Sequence, residues 1–324
     1  MRMRVLATYE DIMNIIKFEN SELQEVPPVL NMYLAKQSKG SLRARTIDIN
    51  NIAEIVGIEA EAMPWHMLRN PHTEIIRQGL IEAGHKYTYI NRILSTLRGM
   101  LKTAWLAELM TTDDYHRAIA VKDVRGESLP TGREVSKGEI LAIMQVCEND
   151  QSPAGARDAS LIGVLYGGGL RRAEAVALKL SDYNPETGEL VVSGKGNKER
   201  LAYMKNGGGR ALVDWLNIRG SEPGALFVPI NKGGNFEIKP MTTQAVFNIL
   251  RKRSIEAGVA EFSPHDLRRS FVSHLLEAGA DISTVSKMAG HASIETTKRY
   301  DKRGEVAKEK ASELLHVPYS GSAK

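Results

Sequence analysis

The chain has 324 residues, 42% hydrophobic and 25% charged, a composition of soluble globular proteins, and its length accommodates about two domains. A formal net charge of +4 leans mildly toward an acidic partner such as nucleic acid. The single cysteine, Cys147, excludes an intrachain disulfide and a multi-cysteine zinc site, and its apolar setting IMQVCEN suits a buried side chain in a reducing compartment.

The start of the chain, MRMRVLATYEDIM, is basic but lacks an apolar core and a small-residue cleavage site, so no signal peptide is expected. No apolar run approaches the roughly 20 residues that span a bilayer. A cytoplasmic protein without a membrane partner is expected. Residues 1–24 read as a polar extension with one helix near Glu10 to Phe18. Past Pro27 and Pro28 the pattern turns helical, and 25–119 read as a small all-helical domain. Its helices are expected at Val29 to Ala35, Arg43 to Val56, Pro71 to Ala83 and Tyr87 to Glu108. In the last of these, Ile90, Ile93, Leu94, Leu97, Met100 and Leu101 recur at three- and four-residue steps. The opposite face carries Lys86, Tyr87, Tyr89, Asn91, Arg92 and Arg98, which in an isolated helix would simply be solvated. Residues 120–135 mix Gly, Pro, Ser and charge without periodicity and read as a linker.

The second half, 136–316, is expected to be mixed but mainly helical. Helices are read at Glu139 to Glu148, Ala156 to Tyr166 and Leu170 to Leu178. Strands follow at Glu189 to Ser193 and Arg200 to Met204, joined by the turn Gly194-Lys195-Gly196-Asn197-Lys198-Glu199. Gly207-Gly208-Gly209 reads as a loop before a helix from Arg210 to Ile218, with another helix at Thr242 to Ala257. The stretch from Ser263 to Tyr300 holds short helices separated by Gly279 and Gly290. Pro264 suits a first turn, and Ser293 is placed to cap a helix that would carry Lys298, Arg299 and Tyr300. Val306 to Leu315 reads as a last amphipathic helix, and 317–324 as a loose tail.

The chemistry concentrates in few side chains. His265 and Arg268, three residues apart, share a helix face. With Arg171, Lys195, His291 and Tyr300 they make a set fit for phosphoryl transfer. A tyrosine hydroxyl can attack a phosphodiester if the developing charge is neutralised, and planar guanidinium groups contact phosphate oxygens in pairs. Histidine relays a proton near neutral pH, and lysine can protonate a leaving alkoxide. Singly, each has a plainer reading: Arg171 or Lys195 as a solvated charge, His265 as the partner of a carboxylate. Either Lys195 or Lys198 of the turn could serve.

The pieces GGGLRRAEAVAL, VVSGKGNKERL, SPHDLRRSF and AGHASIETTKRY, in that order, resemble the catalytic domain of the tyrosine recombinases, the phage integrase family. The resemblance covers roughly 136–303, and the helical region before the linker is similar to that family's core-binding domain. It implies that Arg171 and Arg268 hold the scissile phosphate and that Lys195, the first lysine of the turn, protonates the departing 5′ hydroxyl. His265 would transfer a proton, His291 would bond a phosphate oxygen, Tyr300 would be the nucleophile, and Glu174 would brace the site. It also implies that Lys86, Tyr87, Arg92 and Arg98 face DNA, that no metal or other cofactor is needed, and that a homotetramer acts on duplex DNA carrying a specific site, at the nucleoid. Two positions depart from the common pattern: Arg269 stands where many members have histidine, and Gly168 where a hydroxyl residue is frequent. Other readings are a type IB topoisomerase-like relaxing enzyme and a non-catalytic DNA-binding regulator of the same fold.

Overall fold

The computed structural model describes residues 29–126, 132–194 and 198–304, with 309, 312–315, 317 and 318. The expected helix near Glu10 to Phe18 lies outside the described residues, as do Lys195 and half of the one expected at Val306 to Leu315. The chain forms two compact units, Met1–Leu129 and Pro130–Lys324. No helix among the described residues is long and apolar enough to cross a membrane.

The first unit is all helical: α1 (Val29–Ala35), α2 (Lys39–Val56), α3 (Asn70–Glu82), α4 (Tyr87–Leu106) and α5 (Thr112–Ile119). The apolar stripe of α4 is its centre, with Ile93, Leu94, Leu97, Met100 and Leu101 wholly excluded from solvent. Each such side chain contributes roughly 1.5–3 kcal/mol of transfer free energy. Helix α5 was not expected. Its signals are local: Thr111 Oγ1 accepts from the Asp114 amide at 3.1 Å, and Asp113 and Asp114 sit in the first turn. Part of the stretch expected as linker is tied to this unit. Val121 is buried, and Asn91 bonds both the amide and the carbonyl of Val124.

The second unit contains α6 (Lys137–Asn149), α7 (Pro153–Gly167), α8 (Arg172–Ala177), the strands β1 (Tyr183–Asn184), β2 (Glu189–Ser193) and β3 (Glu199–Tyr203), then α9 (Asn206–Arg219) and α10 (Thr243–Glu256). Helices α11 (Pro264–Glu277), α12 (Ile282–Ala289) and α13 (Ile294–Lys298) close it. Strands β1, β2 and β3 form an antiparallel meander in which Val191 opposes Leu201 and Ser193 opposes Glu199.

Helix α7 is apolar almost all round and runs through the core beside α9. Their approach explains a correction: Gly207-Gly208-Gly209 is the first turn of α9, not a loop. A Cβ added at Gly163 would come within 3.2 Å of the Gly208 Cα, so the glycines serve close helix contact rather than flexibility. A smaller apolar cluster, Phe271, Val272, Leu276, Val285 and Ala289, joins α11 to α12 and packs against Tyr300.

Candidate active site

Helix α11 begins with a capping box. Ser263 Oγ accepts from the Asp266 amide, and the Asp266 carboxylate accepts from the Ser263 amide at 2.9 Å. This start fixes His265 at the exposed end of the helix and sets Arg268 one turn further in, buried. The Arg268 guanidinium donates to the Gly169 carbonyl at 2.5 Å and to the Ala289 carbonyl. Gly169 has φ 62°, and a Cβ there would meet the Phe271 ring at 2.5 Å, so glycine is required twice over at this turn.

Arg171 is the N-cap of α8 rather than a residue inside a helix from Leu170, because its amide is taken by Glu174 Oε2 at 2.9 Å. Its side chain, 47% exposed, donates to Glu174 Oε1 at 2.7 Å and to the Gly290 carbonyl at 3.1 Å. Glu174 is buried and also accepts from Arg200 of β3 at 2.8 Å, while Arg200 Nε donates to the Met288 carbonyl at 3.0 Å. Three consecutive carbonyls at the end of α12, those of Met288, Ala289 and Gly290, therefore receive Arg200, Arg268 and Arg171. These are the groups a helix end leaves without intrahelical partners, and the helix dipole favours cations there.

That turn delivers His291. Its Nδ1 lies 2.8 Å from Oγ1 of Thr297, which is fully buried on α13. Burial, and then the charges of Arg268 and Arg171, push the His291 imidazole down to about 4. His265 is also lowered, by desolvation first and then by Arg269 and Arg268. Helix α13 ends at Lys298, so Tyr300 sits in the turn after it and not on the helix, its amide donating to the Thr297 carbonyl at 3.0 Å. The Tyr300 ring lies 6.4 Å from the His291 ring, and the Arg269 guanidinium lies 5.5 Å from its centroid.

A cleft of about 470 Å³ is lined by Arg171, Arg172, Ala173, Phe247, His265 and Arg268. A larger cavity of about 650 Å³, lined by Ile140, Met144, Ala159 and Ala211 among others, holds none of these groups. Gly194, the residue before Lys195, borders the site: a Cβ on it would stand 3.7 Å from Glu174 Oε1. Lys198 is exposed.

In the first unit, Lys86 is exposed at the start of α4 and the Tyr87 ring lies against Gly126. Arg92 and Arg98 have intramolecular partners. Arg92 pairs with fully buried Asp48 at 2.7 Å, and Arg98 bonds Asp123 at 2.8 Å and the Val121 carbonyl at 2.6 Å.

A family model described as the phage integrase family matches residues 133–305, more than half of the chain. The chain belongs to the phage integrase family. It is 30% identical over 246 residues to tyrosine recombinase XerC of Alcanivorax borkumensis, a match covering 74% of this chain and 76% of that protein. It is 31% identical over 230 residues to tyrosine recombinase XerD of Pseudomonas aeruginosa, covering 68% and 72%. Its fold is shared with the Tn1549 transposon integrase in complex with transposon right end DNA, at TM-score 0.63 and 16% identity over 89% of this chain and 99% of that one. A lambda integrase dimer bound to a COC′ core site gives TM-score 0.62 at 18% identity, over 85% and 95%. The chain is thus a tyrosine recombinase, of the class of enzymes that cleave and rejoin DNA.

For this phage integrase family member, sequence reading named Arg171, Glu174, His265, Arg268, His291 and Tyr300, and these cluster within the second unit. It missed three supports. Arg200 reads in the sequence only as the edge of a strand, although one guanidinium joins Glu174 to the α12 turn. Thr297 is inconspicuous within IETTK, since a spacing of six residues from His291 is not a helical one. Arg269 stands out in the sequence only as a departure from histidine, yet it lies over the nucleophile candidate.

Proposed function

We propose that this recombinase exchanges strands between two specific DNA sites through a 3′-phosphotyrosyl intermediate and a Holliday junction, as a tetramer serving a mobile element. The observation that carries the reading is the convergence of Arg171 and Arg268 on the carbonyls of the turn that presents His291 ahead of Tyr300, with His265 lining the same cleft as the two arginines. In the cleavage step the Tyr300 oxygen attacks the scissile phosphorus and the bond to the 5′ oxygen breaks. The phenolic proton passes to His265, whose depressed basicity leaves it neutral and able to accept near pH 7. Lys195 returns a proton to the 5′ oxygen. Arg171 and Arg268 take the nonbridging oxygens, where charge builds in the transition state. His291 donates from Nε2 to one of them while its Nδ1 accepts from Thr297. Rejoining is the same step reversed, with another strand's 5′ hydroxyl as nucleophile. Bond energy is kept in the phosphotyrosine, so neither ATP nor a metal is called for. Residues 25–119 act as the core-binding domain and 136–316 as the catalytic domain, and phosphate contacts supply most of the affinity.

The test is a pool of nicked suicide duplexes of randomised sequence, screened for a protein–DNA adduct stable to denaturation. The expected result is an adduct on a subset of sequences that disappears in Tyr300→Phe. An adduct formed on all sequences alike, with supercoil relaxation, would replace this reading with a topoisomerase. No adduct in any pool would leave a DNA-binding regulator.

A further inference from the structure

The residue that follows Tyr300 by two, Lys302, reaches across to the other end of the catalytic unit. Its Nζ donates to Glu134 Oε2 at 2.8 Å. Glu134 lies in the short segment before α6, and that segment is strapped along α11. Arg269 donates to the Gly132 carbonyl at 3.0 Å, the Arg133 amide donates to Asp266 at 2.9 Å, and the Val135 amide donates to Ser270 Oγ at 2.7 Å. Glu134 therefore stands on a fixed support. Its second oxygen faces His274 Nε2 at 3.4 Å, and His274 is in turn held by the Tyr166 hydroxyl at 2.8 Å from Nδ1. Ser273, one helix position before, donates to the Tyr300 carbonyl at 3.5 Å and lies within bonding reach of Glu134. Burial alone would raise the Glu134 carboxyl, but the hydrogen bond from Lys302, with the Ser273 hydroxyl close by and the Lys302 charge, outweighs it and holds it below the ordinary carboxylate range.

These contacts are arranged around one short stretch of backbone. Downstream, Arg303 pairs with Asp301 at 2.8 Å and donates to the Ala280 carbonyl at 3.3 Å. The Tyr300 ring meets the α11–α12 apolar cluster and the guanidinium of Arg269, which also grips the strap. Helix α13 stops before the tyrosine, and the backbone runs on only through two turn bonds, from the Tyr300 amide to the Thr297 carbonyl and from the Asp301 amide to the Lys298 carbonyl, both at 3.0 Å. The position of that turn, and with it of the phenol, therefore depends on the side-chain contacts that flank it.

We propose that Glu134 is a positioning residue for the nucleophile: through its ion pair with Lys302, the strap at the start of the catalytic unit clamps the turn carrying Tyr300 against α11. The inference rests on the reading of Tyr300 as nucleophile. Misplacing an attacking group by about 1 Å costs on the order of a hundredfold in rate, which is far more than the pair contributes to stability as a partly exposed contact.

The experiment measures single-turnover adduct formation on the nicked suicide pool for the wild-type protein, Tyr300→Phe, Lys302→Met, Glu134→Gln and the charge-exchanged double variant Glu134→Lys with Lys302→Glu. Lys302 is 67% exposed on its side chain, so Lys302→Met reports on the clamp even if a change at Glu134 disturbs folding. Expected are rates at least about tenfold lower for Lys302→Met and Glu134→Gln, with DNA affinity and thermal stability near wild type, and partial recovery in the exchanged pair. Wild-type rates in both single variants would overturn the clamp, as would loss of DNA affinity in step with rate. If the wild-type protein forms no adduct, or Tyr300→Phe keeps it, the nucleophile assignment fails instead.

Discussion

Arg171 and Arg268, at the N-cap of α8 and on α11 of the second unit, donate to the carbonyls of adjacent residues, Gly290 and Ala289. The two candidate phosphate-binding groups thus share one support, and that support is the turn that presents His291. Their surroundings differ, and this separates their effects on stability. Arg268→Ala strands two carbonyls in a buried setting and should cost about 2–3 kcal/mol of folding stability. Arg171→Ala removes a half-exposed group and should cost below about 1 kcal/mol. Both should abolish cleavage while largely retaining DNA binding. Urea unfolding beside the adduct assay checks the contrast, and parallel loss of binding and cleavage would mean the two are not transition-state groups.

Glu174 is buried between Arg171 and Arg200, so its removal leaves Arg200, 13% exposed on its side chain, without its carboxylate. Glu174→Ala should cost roughly 3 kcal/mol. A double-mutant cycle of Glu174→Gln and Arg200→Met should give a coupling of about 1–3 kcal/mol. Additive effects would show that the pair is incidental. Arg200→Ala should also slow cleavage by loosening the Met288 turn.

Folding holds His291 neutral down to about 4, whereas the unfolded chain takes up this proton near 6.5. Between those values the unfolded state binds more protons. The His291 contribution to stability is therefore complete above pH 6.5 and is lost as pH falls toward 4. His291→Asn should flatten that part of a stability-against-pH curve. Proton NMR of the imidazole should show titration near 4 in the protein alone, and a higher value when inorganic sulfate is added.

In the first unit, Arg92 neutralises a carboxylate with no solvent exposure, so Arg92→Ala should destabilise that unit by roughly 2 kcal/mol. Arg98 faces a 60% exposed Asp123, and its alanine variant should cost less than about 1 kcal/mol. If the exposed Lys86 contacts phosphate, Lys86→Ala should lower the slope of log affinity against log salt by about 1, equally across sequences.

Much of this was legible in the sequence because its signals are local. The apolar steps of α4, the Ser-Pro start of α11 and the valine-rich β2 each declare themselves within a few residues. The candidate set stood out in the sequence because its chemistry is rare in combination and its motifs resemble a known family. What escaped reading is decided by distant partners. Gly207-Gly208-Gly209 looks like a loop until α7 presents Gly163 to it. Arg200 looks like a strand residue until Glu174 and Met288 arrive from other elements. The end of α13 before Tyr300 follows from tertiary contacts that no periodicity encodes.

The most direct measurement is to trap the covalent complex on suicide DNA, digest the protein, and locate the attached nucleotide by tandem mass spectrometry. The account predicts a 3′-linked nucleotide on the Tyr300 oxygen and on no other residue. Attachment at any other side chain, or through a 5′ phosphate, would contradict it.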